Sequence, residues 1–352
     1  MQSPGLSLRA IDRLPPELIG MINVLSYTSP ITLPSLPPGP PIVCISQVCR
    51  RWRIIAHDQS VLWTTYFLGL PPSYPTPRCD ALLRSLEMFV AHSGSRDLIF
   101  NVVQADEGVG RDVLAHILMM YSPRIQNLQL HIPQETAASV AQVSVTPLYV
   151  PHLEVLEINF RLLQTLFWEY LTAPELTTLH IASLSDHDSD EWDNRCFMDF
   201  LRRSDFSLAR LSLAFDFSSH AEGITEVLRA SPTLIELHLR WTGLFMAPDP
   251  CITHLLTQLA SPLFLPNLAS IAIDATAESL SALRARCIAQ ATEPGSRVGK
   301  LLLCAKPPFP ETLFAAEIAA LRGMGVLTVL QPMDFFGAMD LWRAMNEDPN
   351  YR

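Results

Sequence analysis

Residues 234–239 read LIELHL, and the spacing of these three leucines decides the fold of the chain. The same pattern, L-x-x-L-x-L with other aliphatic residues allowed, occurs seven times in the sequence. The seven units are Ile125/Leu128/Leu130, Leu153/Leu156/Ile158, Leu176/Leu179/Ile181, Leu208/Leu211/Leu213, Leu234/Leu237/Leu239, Leu268/Ile271/Ile273 and Val298/Leu301/Leu303. Their middle residues lie 23 to 34 residues apart, a period that is typical of solenoid repeats.

The segments between these units have apolar residues at helical spacing, as in RCFMDFLRRS at 195–204 and SLSALRARCIAQ at 279–290. Each repeat is therefore predicted to contain a strand, a loop and a helix. The last two aliphatic side chains of a strand point to one face, which a helix covers, so that no repeat can bury its apolar side alone. We predict an α/β fold in which residues 97–335 form an irregular leucine-rich-repeat-like solenoid of parallel strands backed by helices.

Two local features qualify this repeat. Several units carry a proline two positions before their first leucine, which ends the preceding helix and favours an extended entry to the strand. These prolines are Pro151, Pro174, Pro232 and Pro266. The units also lack the asparagine or cysteine that regular repeats place three residues after the last strand leucine, so we expect no ladder of side-chain hydrogen bonds.

The first 70 residues follow a different pattern. Apolar residues recur at spacings of three and four on both sides of the proline-rich segment TSPITLPSLPPGPP at 28–41, which predicts two amphipathic helices joined by a loop. A third short helix is predicted near residues 61–67. We assign residues 1–70 to a three-helix domain with its loop at 26–41. Residues 71–96 are assigned to a helical linker or cap, and residues 336–352 to a C-terminal helix and tail.

Composition restricts the class of partner. Hydrophobic residues make up 49% of the chain and charged residues 17%, so most of it can fold by apolar burial. A formal net charge of -10 disfavours nucleic acid and favours a protein partner. The two long uncharged stretches, 18–48 and 250–273, contain prolines that argue against a membrane span. Seven scattered cysteines and the absence of a signal-peptide pattern favour the cytoplasm or nucleus.

The common catalytic and cofactor motifs are missing from the sequence. It contains no G-x-S-x-G, H-E-x-x-H, C-x-x-C or G-x-G-x-x-G, so we expect neither an enzyme nor a cofactor. The acidic segment SDHDSDEWD at 185–193 lacks the glycine and terminal glutamate of a calcium loop, and we expect no metal site there.

Two stretches in the first 70 residues, IDRLPPELIGMINVL at 11–25 and PPIVCISQVCRRWRIIAHDQSVLWTTYF at 40–67, resemble the F-box in the form common in mushroom-type fungi. The resemblance implies docking on the Skp adaptor of a cullin-containing SCF ubiquitin ligase. By position it assigns the docking, or the small core behind it, to Leu14, Pro15, Pro16, Leu18, Ile19, Val43, Ile45, Val48, Cys49, Trp52 and Ile55. The physical pattern agrees, because so short a helical piece has more apolar side chains than it can bury by itself.

A second candidate surface follows from strand alternation, because residues that flank the buried leucines must face the other side of the sheet. An ordinary solvated sheet face is the alternative, but solenoids commonly bind along such surfaces. The candidate target-binding residues are Gln129, His131, Glu157, Asn159, His180, Arg210, Glu236, His238, Arg240, Asp274 and Lys300.

Three hypotheses for function remain open on the sequence. The first is a substrate receptor that recruits an unknown target protein to an SCF ligase. The second keeps the solenoid as a protein-interaction scaffold with no ligase role. The third is an enzyme on an α/β scaffold, which predicts a cleft with convergent titratable groups that the sequence does not display.

Overall fold

The computed structural model of the chain describes residues 14–26, 29–34, 41–70, 76–104, 110–132, 148–160, 165–183, 193–214, 221–240, 250–274, 277–292, 298–305 and 311–332. The chain forms two compact units. The amino-terminal unit comprises residues 1–143 and 150–153, and the carboxy-terminal unit comprises residues 144–149 and 154–352.

The amino-terminal unit begins with short helices and continues as a parallel sheet. Its helices are α1 (Pro16–Ser26), α2 (Pro41–Gln47), α3 (Arg50–Asp58), α4 (Thr76–His92) and α5 (Gly110–Tyr121), with 3-10 turns at Ser60–Trp63 and Ser122–Arg124. Its strands are β1 (Ile31–Leu33), β2 (Thr65–Leu70), β3 (Leu98–Gln104) and β4 (Ile125–Ile132), which lie side by side in that order.

The carboxy-terminal unit repeats the sequence of strand and helix. Its helices are α6 (Thr165–Tyr170), α7 (Asn194–Ser204), α8 (Ala221–Arg229), α9 (Pro250–Ala260), α10 (Ala277–Thr292) and α11 (Glu311–Gly323). Its main sheet contains β6 (Val155–Phe160), β8 (Thr178–Ser183), β9 (Arg210–Ala214), β10 (Glu236–Arg240), β11 (Ser270–Asp274), β12 (Lys300–Ala305) and β13 (Leu327–Pro332). The short strands β5 (Leu148–Tyr149) and β7 (Leu171–Thr172) pair separately. All of these pairings are parallel, which confirms the predicted fold class of a solenoid-like parallel sheet backed by helices.

The leucine triplets form the core that the sequence predicts. Every one of their side chains is at most 5% exposed. The strand register places their middle residues opposite one another from β6 to β12, in the order Leu156, Leu179, Leu211, Leu237, Ile271 and Leu301. Burying one such side chain contributes about 1.5 to 3 kcal/mol, so the repeat is held mainly by this row and its neighbours.

A turn with proline at its second position leads into several strands. The N–H of Leu176 donates to the carbonyl of Ala173 at 3.3 Å, and the N–H of Leu234 donates to the carbonyl of Ser231 at 3.2 Å. Pro174 and Pro232 stand second in these turns, where their fixed φ is favourable. The prolines therefore shape a hydrogen-bonded turn rather than only ending the helix.

A ladder of backbone hydrogen bonds joins successive repeats at the starts of their strands. The carbonyl of Ala209 accepts the N–H groups of Ile235 at 2.8 Å and Glu236 at 3.0 Å. The carbonyl of Ile235 in turn accepts from Ala269 at 2.8 Å and Ser270 at 3.1 Å. Because backbone groups make these bonds, the connection between successive strand starts does not depend on a particular side chain.

The amino-terminal part departs from the sequence prediction in two places. The helix predicted at 61–67 is wrong beyond the 3-10 turn, because β2 starts at Thr65 and buries Tyr66, Leu68 and Leu70 in alternation. The proline-rich segment contains the short edge strand β1, which pairs with β2 and so extends the sheet before the first leucine triplet. An edge position tolerates nearby prolines. The assigned domain boundaries stay a prediction, and residues 336–352 lie outside the described residues.

Candidate partner-binding surfaces

Trp63 is the centre of the helical part of the amino-terminal unit. It is 1% exposed, and its indole Nε1 donates to the carbonyl of Ala56 at 2.8 Å. Its ring stacks on Phe89, with the ring centroids 5.7 Å apart, and contacts the imidazoles of His57 and His92. Burial, and next the nearby His57, lower the pKa of His92. This aromatic cluster ties the short helices to α4.

Gly20 lets α1 lie directly against the side chain of Gln59. A Cβ atom at Gly20 would lie 2.0 Å from the side-chain Nε2 of Gln59, the residue before the 3-10 turn, and this side chain would have to move. Ile19 and Asn23 are buried on the same face of α1. The helix therefore packs through Ile19, Gly20 and Asn23, and its other aliphatic side chains are exposed.

Two arginines of α3 bond to the backbone around them. A guanidinium nitrogen of Arg51 donates to the carbonyl of Leu14, and Nε of Arg53 donates to the carbonyl of Ser46 at 2.9 Å. These bonds fix the start of α1 and the end of α2 on α3.

The eleven predicted docking residues divide into three groups by exposure. Pro15, Pro16, Leu18 and Val48 are exposed, and Val48 is 64% exposed. Ile19 and Trp52 are buried and belong to the small core. The partly buried members are Leu14, Val43, Ile45, Cys49 and Ile55.

Sequence reasoning missed part of this surface on α1. Met21, Ile22, Val24 and Leu25 are all exposed, and Leu25 is 75% exposed. The signal was present, since the helix PELIGMINVLS carries aliphatic residues around its whole circumference, and such a helix is normally covered on every side. Together with Leu18 and Val48, these four side chains make up what we call the α1 surface.

The family comparison falls on this same part of the chain. Residues 11–69 match the F-box-like family. The F-box-like domain thus contains α1, β1, α2, α3 and the first five residues of β2. Comparisons with curated proteins and with solved structures gave no match.

The predicted target-binding residues of the carboxy-terminal unit lie on one face of its sheet. The register aligns Arg210 and Glu236 with Lys300 through Ser270, and it aligns Glu157 and His180 with His238 through Ser212. Asn159 and Arg240 share a third row, and the side chain of Asp274 lies outside the described residues. Gln129 and His131 belong to β4 in the amino-terminal unit, where Gln129 accepts from the Asn101 amide at 2.8 Å.

Much of this face is buried, which differs from the expected openness to solvent. His238 is 1% exposed, and Asn159 and Arg240 are also buried. Ala272 and Leu302, which the register places beside His238 on the same face, are completely buried. Alternation decides which side of the sheet a residue faces, but it does not decide whether that side is covered. Arg210 stays exposed, and Gln129, His131, Glu157, His180, Glu236 and Lys300 are partly buried.

Ionisable side chains on this face lie both at the strand starts and further along the strands. Nε of Arg210 lies 3.1 Å from a carboxylate oxygen of Glu236. Burial raises the pKa of Glu236, whereas Arg210 opposes the rise. Deeper in the face, the hydroxyl of Ser212 and Nδ1 of His238 are hydrogen-bonded at 3.1 Å. Burial, and next Arg240, lower the pKa of His238 to about 4, so its imidazole is neutral at physiological pH.

The described part of the chain offers no cluster of metal ligands and no helix that could span a membrane. Within it, no group of three or more His, Cys, Asp or Glu side chains is arranged to hold a metal ion. Of the acidic segment at 185–193, only Asp193 is described, and its carboxylate accepts the N–H of Cys196 at 3.0 Å as the N-cap of α7. None of the helices in the described ranges has the length and hydropathy needed to cross a bilayer.

Proposed function

We propose that the chain is a substrate-recruiting adaptor of an SCF-type ubiquitin ligase, which docks the Skp adaptor through its F-box-like domain and binds a target protein through the repeats. The F-box-like match at residues 11–69 suggests the adaptor role. F-box proteins are typically adaptors without catalytic activity, and the chain would act in the cytoplasm or nucleus. The repeats would be a degenerate leucine-rich-repeat array of the kind attached to fungal F-box proteins.

The α1 surface is the observation that carries this proposal. Helix α1 exposes Leu18, Met21, Ile22 and Leu25, and Val48 is exposed between α2 and α3; soluble proteins commonly cover such apolar side chains with a partner. The side chains face outward because α1 packs through Ile19, Gly20 and Asn23. A partner that buries them gains hydrophobic free energy and need not rearrange the core around Trp63.

Co-purification with the Skp adaptor tests the proposal. The full chain is co-expressed with a tagged Skp adaptor, and the complex is quantified by size-exclusion chromatography and by titration calorimetry. Val48→Asp and Leu25→Asp place a charge in the apolar contact without changing a buried residue. Each is expected to weaken binding by at least tenfold, because burying an unpaired carboxylate is unfavourable.

Met88→Asp is the matched control. Met88 on α4 is 55% exposed and lies outside the F-box-like match, so the same charge should leave Skp binding unchanged. Absence of a complex with the unaltered chain, or equal binding by all three variants, contradicts the proposal. Trp52 is less suitable for this purpose, because it is buried and its replacement would disturb folding.

The scaffold hypothesis makes a different prediction for the same experiment. A solenoid that acts outside any ligase would bind partners through the repeats without forming a stable complex with the Skp adaptor and cullin. Its partners would also persist after Val48→Asp, whereas ubiquitin transfer to a target of the adaptor would be lost.

A further inference from the structure

Leu263 is 82% exposed on the turn that joins α9 to β11. Arg286 on α10 donates hydrogen bonds to the carbonyls around this turn, and the Arg286 side chain is completely buried. Its guanidinium donates to the carbonyls of Leu259 at 3.0 Å, Ser261 at 2.8 Å, Phe264 at 2.8 Å and Leu265 at 2.6 Å. The exposed leucine therefore stands on a rigid support.

The backbone beside Leu263 also has an unusual conformation. Leu265 has a φ of 60°, in the left-handed region that costs a leucine about 1 to 2 kcal/mol. Phe264 and Leu265 are buried and anchor the turn, so that Leu263 alone of these three apolar residues projects outward. A binding partner loses little conformational entropy when it meets a side chain that is already fixed in this way.

Leu263 lies at the end of the sheet where helices finish and strands begin. We call this end the strand-start edge and define it by Arg229, Ile235, Leu263, Lys300, Arg322 and Leu327. Ile235 is 45% exposed and Leu327 is 37% exposed. The backbone ladder connects the two, because the N–H of Ala269 donates to Ile235, Gly299 donates to Ala269, and Leu327 donates to Gly299. Adjacent strands are about 4.8 Å apart, so Ile235 and Leu327 lie roughly 14 Å apart across three strand spacings.

The charges at this edge are basic. Arg229 ends α8, and Arg322 in the last turn of α11 donates from Nη2 to the carbonyl of Thr328 at 3.2 Å, which fixes it beside Leu327. Lys300 lies opposite Leu327 in the strand register. Glu236 lies in the same row as Lys300; Arg210 pairs with it at 3.1 Å, and Lys300 also opposes the rise in its pKa. A basic edge contrasts with the net charge of -10 on the whole chain.

We propose that the strand-start edge binds an acidic peptide segment that carries apolar side chains, with Leu263 as the central apolar contact. The segment belongs to the recruited target, and to that extent the inference rests on the proposed function. Aspartate or glutamate side chains pair with Arg229, Lys300 and Arg322, and the apolar side chains cover Ile235, Leu263 and Leu327. The strand starts are also more accessible than the face of the sheet opposite the leucine triplets, because that face is buried around His238.

Selection from a phage-displayed library of random 12-residue peptides tests this proposal on the full chain. Enriched peptides are expected to combine aspartate or glutamate with large apolar residues. A synthetic, fluorescein-labelled copy of the most enriched peptide is then titrated by fluorescence anisotropy. Leu263→Ser should weaken its binding about tenfold, the loss that corresponds to one buried leucine. Arg229→Glu combined with Arg322→Glu should weaken it similarly at low salt and less in 500 mM NaCl.

Matched controls come from elsewhere in the chain. Met88→Ser removes an exposed apolar side chain outside the strand-start edge, and Arg195→Glu reverses an exposed charge at the start of α7. Both should bind the peptide as the unaltered chain does. All of the altered residues are exposed or half-exposed, and equal thermal unfolding temperatures establish that every variant is folded.

Three results would overturn the inference. They are a library without enriched peptides, enriched peptides without an excess of acidic residues, and undiminished peptide binding by the Leu263→Ser variant. Skp binding is measured on the same variants. Peptide binding lost in Leu263→Ser while Skp binding persists supports the edge, whereas loss of Skp binding in Val48→Asp alone reports only on the adaptor role. The two proposals can therefore fail independently.

Discussion

The buried guanidinium of Arg286 donates a hydrogen bond to the carbonyl of Leu265, the residue with a φ of 60° in the turn before β11. One side chain thus donates to four carbonyls, of which those of Ser261 and Leu265 also accept the backbone N–H groups of Phe264 and Leu268. Burial lowers the pKa of this guanidinium to about 10, so it stays protonated at neutral pH. The carbonyl oxygens compensate the cation and explain how a charge can be completely buried in the repeat.

Replacing this arginine tests its structural role. Arg286→Met keeps the apolar stem but removes all four of these buried, charge-assisted hydrogen bonds, and we expect it to destabilise the folded chain by about 2 to 4 kcal/mol. Thermal unfolding followed by circular dichroism gives the measurement. Arg284→Met changes an exposed arginine of the same helix and should alter stability by less than about 0.5 kcal/mol. Equal effects of the two substitutions would contradict the role assigned to Arg286.

The covered second face of the sheet gives a second prediction. Ala272 is completely buried on the side that strand alternation assigns to the target. Ala272→Asp should therefore lower stability by about 3 kcal/mol or more, because it buries an unpaired carboxylate. Unfolding in urea and the yield of soluble protein are the measurements. Leu327→Asp, at a residue 37% exposed, is the control and should have a small effect. A fully stable Ala272→Asp protein would mean that this face is open.

Acid should destabilise the chain partly through His238. Its folded-state pKa of about 4 lies below the unfolded value of 6.5, so below pH 6.5 the unfolded chain binds a proton that the folded chain does not. Stability from this group is complete above pH 6.5 and is lost as the pH falls toward 4, by up to about 3 kcal/mol. The fall in unfolding temperature between pH 7 and pH 4.5 should be smaller for His238→Gln than for the unaltered chain. His254→Gln, at an exposed histidine of α9, should retain the full fall.

A single substitution at the end of α7 should stabilise the chain. Asp205 has a φ of 49°, and its N–H donates to the carbonyl of Leu201 at 3.0 Å. Glycine adopts this left-handed cap without steric cost, so Asp205→Gly should stabilise the fold by up to about 1 kcal/mol. An increase of a few degrees in unfolding temperature is the expected result. Alanine adopts this left-handed conformation less readily than glycine or aspartate, so Asp205→Ala should lower the unfolding temperature instead.

The docking surface illustrates how far sequence reasoning reaches. The resemblance selected the correct segment, since residues 11–69 match the F-box-like family. It did not separate inner from outer residues, because the aliphatic side chains of α1 surround the helix. Only the tertiary packing of α1 decides that Ile19 is buried and that Leu25 is exposed.

The sequence by itself determined the repeat and the buried side of every strand in it. Leu156, Leu237 and Leu301 could be assigned to the core because alternation in a strand is a local rule, which the period of the pattern reveals. The tertiary structure decided which polar groups are covered, and it brought Arg286 to the carbonyls of a turn more than twenty residues earlier. Such contacts depend on how whole repeats stack, and the local spacing of residues in the sequence does not reveal which distant residues will meet.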